Sequence, residues 1–458
     1  MIDQAEILRR RDMRDAFTFT IDPSDAKDFD DALSFMPNDD GTYQIGVHIA
    51  DVSFYVKPGS KTDEDAYQRG TSVYLVDRVL PMLPEELCND LCSLKPGEDK
   101  LCMSVIFTMD TEARVLKHKI CRTVIRSDAR LDYDQAQEII CPNQTNDTQS
   151  RDYRDGINTG AIADQNKLLE QAILTLHQLA LRLRAERIAN GALTIEQDEM
   201  RFRLDEHKQP IDIYFEHPNE AHHLIEEFML LANRTVARAV SGRPFIYRVH
   251  DIPDQEKLDD LKQFKHKMGT RVQQQVLDLL LIRAQAKAVY STHNIGHYGL
   301  AFTHYTHFTS PIRRYPDLMV HRLLDKYILT GKGESWPQDA LEEICEHCSA
   351  CEQEAQQAER ESIKLFQALW MEQHLGETFA GHISGVTEFG LFVQLDESRC
   401  EGLVHVSNIG QGEYWQYDEK NYRLISDETG KTYTLGDAVT VQVLRTDAER
   451  GQIDFLLI

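Results

Sequence analysis

The densest chemistry in the sequence lies between Ile21 and Asp31. There IDPSDAKDFDD places Asp22, Asp25, Asp28, Asp30 and Asp31 within ten residues, beside a single Lys27. Like charges about 4–5 Å apart cost on the order of 3–4 kcal/mol per pair at an effective dielectric near 20. A fold that gathers these carboxylates needs a counter-cation or raised pKa values. Hard oxygen donors point to Mg²⁺, or to Mn²⁺. An EF-hand fails: counted from Asp22 or Asp28, its glycine position holds Lys27 or Leu33 and its glutamate position Leu33 or Asp39. A solvated acidic loop is the plain alternative. The strand pattern before the cluster, and apolar Phe29 and Ala32, tilt the reading toward a structured site.

A second signal is HYTHFTSPIRRYPDLMVHRLL, His304–Leu324. Ser310–Pro311 breaks the chain, and Pro316 suits a helix's first turn. Arg313 and Arg314 then sit at a helix start, where guanidinium groups and free backbone N–H groups suit a phosphate. An ordinary pair of salt-bridged arginines is the competing reading. Carboxylates with a metal, facing arginines, suggest phosphoryl transfer: metal activates water and arginine neutralises developing charge. His304 and His307 nearby are expected in core or hydrogen-bonding roles. Cys345, Cys348 and Cys351 fall at i, i+3, i+6. On a helix they spread over about 9 Å of rise, too far for one metal with bonds near 2.3 Å.

The elements that must position these residues show in the patterning. Phe17, Phe19 and Ile21 alternate with Thr18 and Thr20, and the alternation returns at Tyr43, Ile45, Val47 and Ile49, so residues 17–56 read mainly as strand. Residues 71–126 mix short apolar runs with prolines, predicting strands and loops. Residues 141–164 read as a flexible polar insertion. Helical spacing predicts helices over Asn166–Ala189, Asn219–Val240, Gln274–Tyr290, Pro316–Ile328 and Asp339–Gln373. From Gly376 short strands with Gly turns predict an OB-like barrel of about five strands. Phe389, Phe392 and His405 lie among those strands and could stack on bases, although core packing serves Phe392 equally well. Gly376–Ile458 holds six Lys/Arg against fourteen Asp/Glu, so its contacts to a polyanion would be local or stacking-driven.

With 458 residues the chain has room for roughly three domains. Its formal charge of −25 argues against a uniformly basic nucleic-acid binder. A polyanion would have to meet a local basic groove or bound metal. Apolar stretches such as Phe228–Ala232 are too short to span a bilayer, and the first residues lack a secretory apolar core. A cytoplasmic protein without a membrane partner, its nine cysteines reduced, is the expectation.

TIDPSDAKDFDDAL, GVHIADVSFYV, QRGTSVYLVDRVLPMLPEELCNDLCSL, HHLIEEFMLLAN and HFTSPIRRYPDLMVHRLL together resemble the catalytic-domain signatures of the ribonuclease II/R (RNB) family of exoribonucleases. SPIRRYPDL, with its second Arg, is more similar to the ribonuclease R branch. GHISGVTEFGLFVQL and EGLVHVSNI resemble an S1-type RNA-binding domain. The resemblance implies an α/β (α+β) RNB catalytic domain with an RNA channel, over residues 1–372, followed by an all-β OB-like S1 barrel over 373–458. It implies a processive, metal-dependent 3′→5′ hydrolase that degrades single-stranded RNA or RNA 3′ ends to nucleoside 5′-monophosphates. Asp22, Asp28, Asp30 and Asp31 match the family's metal-holding aspartates, Asp30 being the most critical. Arg313 matches the arginine at the scissile phosphate, with Arg314 beside it. Tyr74 matches a tyrosine holding the terminal nucleotide, and Tyr133 one near the sugar. Glu226 or Glu227 corresponds to a ribose-contacting carboxylate, and Glu359 is placed near the site. Phe389, Phe392 and His405 become RNA contacts of the barrel.

Two departures stand out. A base-stacking phenylalanine of the family falls at Ile195, which cannot stack equally. Relatives carry OB-like domains ahead of the catalytic domain, whereas twenty-one residues precede Asp22, so a trimmed or unusually short enzyme is expected. The rival readings are a non-catalytic RNA-binding regulator on the same scaffold and a nuclease acting mainly on DNA.

Overall fold

The computed structural model describes residues 2–142, 161–194, 198–254, 285–331, 335–410 and 413–458. Ile195 and most of the helix expected over Gln274–Tyr290 lie outside the described residues, as does most of the polar insertion. The described end of that expected helix is different: Val289–Ser291 is a strand paired with Tyr247–Val249.

The larger body, ahead of Gly376, is built on a seven-stranded mixed sheet. Its spatial order is Arg11–Asp12, Val115–Arg126, Asp99–Met109, Tyr43–Ala50, Asp31–Pro37, Thr18–Asp22 and Ala129–Asp132. The two edge pairings are parallel and the four inner ones antiparallel. The alternation seen at Phe17–Ile21 predicts one wet face, yet all five residues of Thr18–Asp22 are buried. Helices cover this part of the sheet, and Thr18 is satisfied locally: its hydroxyl donates to the Ala16 carbonyl at 2.7 Å. Burial on both faces removes the selection for alternation.

Helices Ala161–Ala189 and Glu220–Ala239 pack together and against the short helix Tyr133–Ile140. Asp132 caps Tyr133–Ile140 and Asn219 caps Glu220–Ala239, each in a reciprocal capping box. The helix expected from Pro316 runs over Tyr315–Leu324 and widens into a π-type turn at Asp325–Leu329. All ten of its α-helical residues are buried. Several of its buried polar groups are paired, as with His321 Nε2 and the Phe308 carbonyl at 2.8 Å.

The helix Gln338–Glu372 crosses the body and enters the second domain. There Ala368 and Met371 join the core of a closed five-stranded barrel. Gly402 is required in that barrel, because a Cβ would lie 2.6 Å from the Phe455 ring. A separate three-stranded sheet, Trp415–Asp418, Arg423–Ser426 and Thr432–Thr434, adds to the expected five strands. The expected fold class, an α/β body followed by an OB-like barrel, is the one observed.

Candidate active site

Asp22 ends one strand and Asp31 begins its antiparallel neighbour, so the sheet brings both to one end. The intervening loop is pinned by backbone contacts. Ser93 Oγ accepts from the Phe29 N–H at 3.0 Å and donates to the Lys27 carbonyl at 2.7 Å. The Ala50 N–H donates to the Asp30 carbonyl at 2.8 Å. Phe29 is buried, with the Arg130 guanidinium 4.8 Å from its ring centre.

The SPIRR segment faces this loop. The Ile312 N–H donates to Asp30 Oδ1 at 2.9 Å, and Arg313 Nε lies 3.7 Å from Asp30 Oδ2. Arg313 also donates to Ser310 Oγ at 3.0 Å and remains 43% exposed, so its guanidinium is open to solvent beside the cluster. The segment is clamped from outside: the Ser72 N–H donates to the Arg313 carbonyl and the Tyr315 N–H to the Gly70 carbonyl, both at 2.9 Å. Gly70 has φ +68°, and a Cβ there would lie 2.6 Å from Cys351 Cβ.

Charge crowding marks the four aspartates. Burial, then repulsion from Asp30 and Asp28, pushes Asp22 up to about 7 despite the nearby Thr20 hydroxyl and Arg130. Burial and the Asp22 charge push Asp31 up to about 8, with Arg313 and Arg314 opposing. Burial raises Asp30 well above the ordinary carboxylate range, and Asp28 is raised for the same reason. Asp22 Oδ2 is buried without a hydrogen-bond partner. Among the described residues no three His, Cys, Asp or Glu side chains converge closely enough to ligate one ion as they stand. The donor chemistry nonetheless fits a hard divalent cation: carboxylate oxygens only, one of them orphaned, in mutual repulsion that such an ion relieves.

Two tyrosines flank the cluster. Tyr74 sits on the hairpin Val73–Leu75/Arg78–Leu80, latched to the long helix by Tyr74 N–H to Glu359 Oε1 at 2.9 Å and Val76 N–H to Ser362 Oγ at 3.1 Å. Its hydroxyl lies in the field of Arg313, Asp28 and Asp30. The Tyr133 hydroxyl lies in the field of Asp31, Asp22 and Arg313, and burial pushes its pKa up. The Tyr133 ring stacks on His222, centroids 3.7 Å apart and planes 9° from parallel.

Some expected site residues are placed elsewhere. Arg314 is a correction: its side chain is 18% exposed and turned inward to Asp317, at 2.8 Å, where burial favours a paired charge over one offered to a strand. Glu227 is another: it is 3% exposed and bonded to Arg187, whose Nε donates at 3.0 Å. Its neighbour Glu226 is 45% exposed. Glu359 reaches the site only through the backbone of Tyr74. On the barrel, Phe389 is 62% and Phe392 36% exposed, and His405 is exposed with its Nδ1 2.8 Å from Ser407 Oγ. His307 is bonded to the Tyr290 hydroxyl at 2.8 Å, and Cys345 and Cys348 are packed in the main core. Sequence reasoning missed Ser93, Arg130, Arg187 and His222. Only His222 left a signal, the Asn219-x-x-His222 capping spacing.

Between the hairpin, the long helix and the barrel turn Ala448–Arg450 lies a cleft of about 940 Å³. It carries Arg78, Lys208, Arg360, Lys364 and Arg450, against Asp77, Glu361 and Glu449. Among the described residues, no helix is long and apolar enough to cross a membrane.

A carboxylate cluster faced by an arginine, on a sheet-and-helix body joined to an OB-like barrel, is an architecture suited to phosphodiester chemistry. The chain matches the RNB domain over residues 10–330 and the S1 RNA binding domain over 372–457. It belongs to the RNB family. It is 40% identical to ribonuclease R of Thermotoga maritima, over all of this chain and 66% of that protein. It is 35% identical to ribonuclease R of Escherichia coli, over 98% of this chain and 57% of that protein. The chain thus spans about two thirds or less of these two curated relatives. A solved Mycoplasma genitalium RNase R in complex with ribose methylated single-stranded RNA superposes with TM-score 0.90 at 28% identity, covering 100% of this chain and 73% of that one. Yeast Ssd1, described as a pseudonuclease, shares the fold at TM-score 0.70 and 21% identity over 93% of this chain and 54% of that one.

Proposed function

We propose that the chain is a hydrolytic exoribonuclease that shortens single-stranded RNA from its 3′ end, processively, to nucleoside 5′-monophosphates. Residues 1–372 carry the chemistry, and the barrel, 373–458, helps hold the strand. The observation that carries this reading is Asp30, buried, hydrogen-bonded to the Ile312 N–H and faced by the Arg313 guanidinium. A buried carboxylate raised above its ordinary range beside a half-exposed arginine is a poor stabilising device and a suitable reaction centre. The fold alone decides less, since a pseudonuclease shares it.

Asp22, Asp28, Asp30 and Asp31 would hold Mg²⁺, with Mn²⁺ an acceptable substitute; bound there, it would lower the pKa of the attacking water and offset phosphate charge. Asp30 orients that water through its fixed carboxylate. Arg313 neutralises the scissile phosphate as charge develops. Tyr74, on its latched hairpin, packs on the terminal nucleotide. Tyr133 and Glu226 read ribose hydroxyls, so a DNA strand would leave their polar groups unpaired. The basic cleft attracts the backbone despite the chain's net charge.

The test is 5′-end-labelled single-stranded RNA incubated with and without Mg²⁺. The expected result is a metal-dependent ladder shrinking from the 3′ end. Internal cuts, or no product, would overturn the reading and leave a non-catalytic RNA binder.

A further inference from the structure

Helix Glu220–Ala239 places His222 and Glu226 one turn apart on one face. His222 is fixed from two sides. At the third position of the helix it completes the capping box: its Nδ1 lies 2.7 Å from Asn219 Oδ1 and accepts the Asn219 N–H at 3.2 Å. Its ring then lies flat on Tyr133 at 3.7 Å. Tyr133 itself opens the neighbouring helix Tyr133–Ile140, capped by Asp132. Two capped helix starts, which are stiff, thus meet through a pair of rings and through the Ala221 N–H, which donates to Gln137 Oε1 at 3.3 Å. One turn further along, Glu226 stays 45% exposed with Arg187 Nη2 3.3 Å from its Oε1, while Glu227 is turned in and held by the same Arg187. Burial pushes the His222 imidazole down to about 4, so the ring stacks uncharged at neutral pH.

We propose that His222 is a positioning residue for sugar selection, holding the Tyr133 ring so that its hydroxyl and the Glu226 carboxylate read the same ribose. This rests on the exoribonuclease reading above and deepens it. His222 touches no reacting atom. It acts by removing the rotation that an unsupported phenol ring would have, so that the 2′-hydroxyl test is made at a fixed distance from Asp31 and Asp22. A ring free to swing would bind ribose and deoxyribose ends more equally.

Two substitutions separate this role from helix capping. His222→Gln keeps a capping box, since Gln is a preferred partner at that position, but removes the flat ring. His222→Phe keeps the flat ring and loses the cap. Each folded variant is compared with the unsubstituted chain on matched RNA and DNA oligomers, reading single-turnover rates and their RNA-to-DNA ratio, with melting curves alongside. His222→Gln should lower the ratio about three- to tenfold, the span of one aromatic stacking contact, mainly by raising DNA turnover relative to RNA. His222→Phe should hold the ratio within about twofold even if it melts earlier. The opposite pattern would make His222 a cap only and overturn the proposal, as would two variants that both keep or both lose the ratio. Failure of the unsubstituted chain to cut RNA would instead sink the exoribonuclease reading. Equal cutting of RNA and DNA by the unsubstituted chain would remove sugar selection, and this proposal, while leaving that reading intact.

Discussion

Replacing Asp30 by asparagine should separate activity from stability. The amide keeps the shape, and its oxygen can still accept the Ile312 N–H that now reaches Asp30 Oδ1 at 2.9 Å. What is lost is one charge 3.7 Å from Arg313 Nε. At an effective dielectric of 20 that attraction would be about 4–5 kcal/mol. Arg313 is 43% exposed, so solvent screening brings it to about 1–2 kcal/mol. Against this stand the burial of Asp30 and repulsion from Asp28 and Asp31, which together hold its pKa well above normal. The balance favours the neutral form, so Asp30→Asn should leave metal-free stability unchanged to within about 1 kcal/mol, or raise it. RNA affinity should survive, because a charge repelling phosphate has gone. Cleavage should fall about a hundred- to thousand-fold, the loss of one electrostatic contact made in the transition state at about 3–4 kcal/mol. The assay pairs denaturant melting without metal, RNA affinity and single-turnover cleavage on the same preparation. Cleavage within tenfold of the unsubstituted chain would remove Asp30 from the mechanism. A stability loss above about 2 kcal/mol would show that the Arg313 contact outweighs burial, and the electrostatic reasoning would be wrong.

The raised aspartates also predict a pH dependence. Asp22 and Asp31 bind their protons more tightly folded than unfolded, so the stability they contribute is full below the ordinary value of 3.8 and is lost as pH rises to about 7 and 8. Melting of the metal-free chain should therefore show this loss, Mg²⁺ should offset it most above about pH 7, and a Mg²⁺ effect equal at pH 5 and pH 8 would contradict it. Phe389→Ala, at a 62% exposed ring, should weaken single-stranded RNA binding by about 1–3 kcal/mol without moving the melting curve; unchanged affinity in a direct titration would take Phe389 out of the RNA face. Affinity for RNA should fall steeply with added salt because the strand meets the cleft lysines and arginines, and a flat salt titration would show that stacking dominates. Gly70→Ala should destabilise the chain by about 1–3 kcal/mol, since φ +68° and the Cys351 contact both oppose a Cβ; a neutral melting shift would mean the SPIRR clamp is looser than the geometry indicates.

Much of the site could be read in the sequence because its acidic half is contiguous. Five aspartates in ten residues after a strand pattern can hardly avoid one another, so charge arithmetic alone calls for a cation or bound protons. The Gly-rich strands after Gly376 likewise announced a barrel, through local turn chemistry. Helix starts at Asn219 and Pro316 were legible for the same reason: capping and proline preferences act within one turn. What faces the aspartates was not local. Asp30 meets Ile312 across 282 residues, and the meeting depends on how the Gly70–Ser72 loop clamps the SPIRR segment. Tertiary packing also chose between neighbours of one chemical type. Arg313 stays 43% exposed beside Asp30 while Arg314 turns in to Asp317, and Glu226 stays 45% exposed while Glu227 is buried, Arg187 bonding both. Sequence spacing supplies both members of each pair; the partner buried behind the helix or loop decides which one is buried in the fold and which stays partly exposed. The stacking of Tyr133 on His222 belongs to the same class. Each residue is specified by its own helix cap, but their contact exists only once the two helix starts are packed against each other.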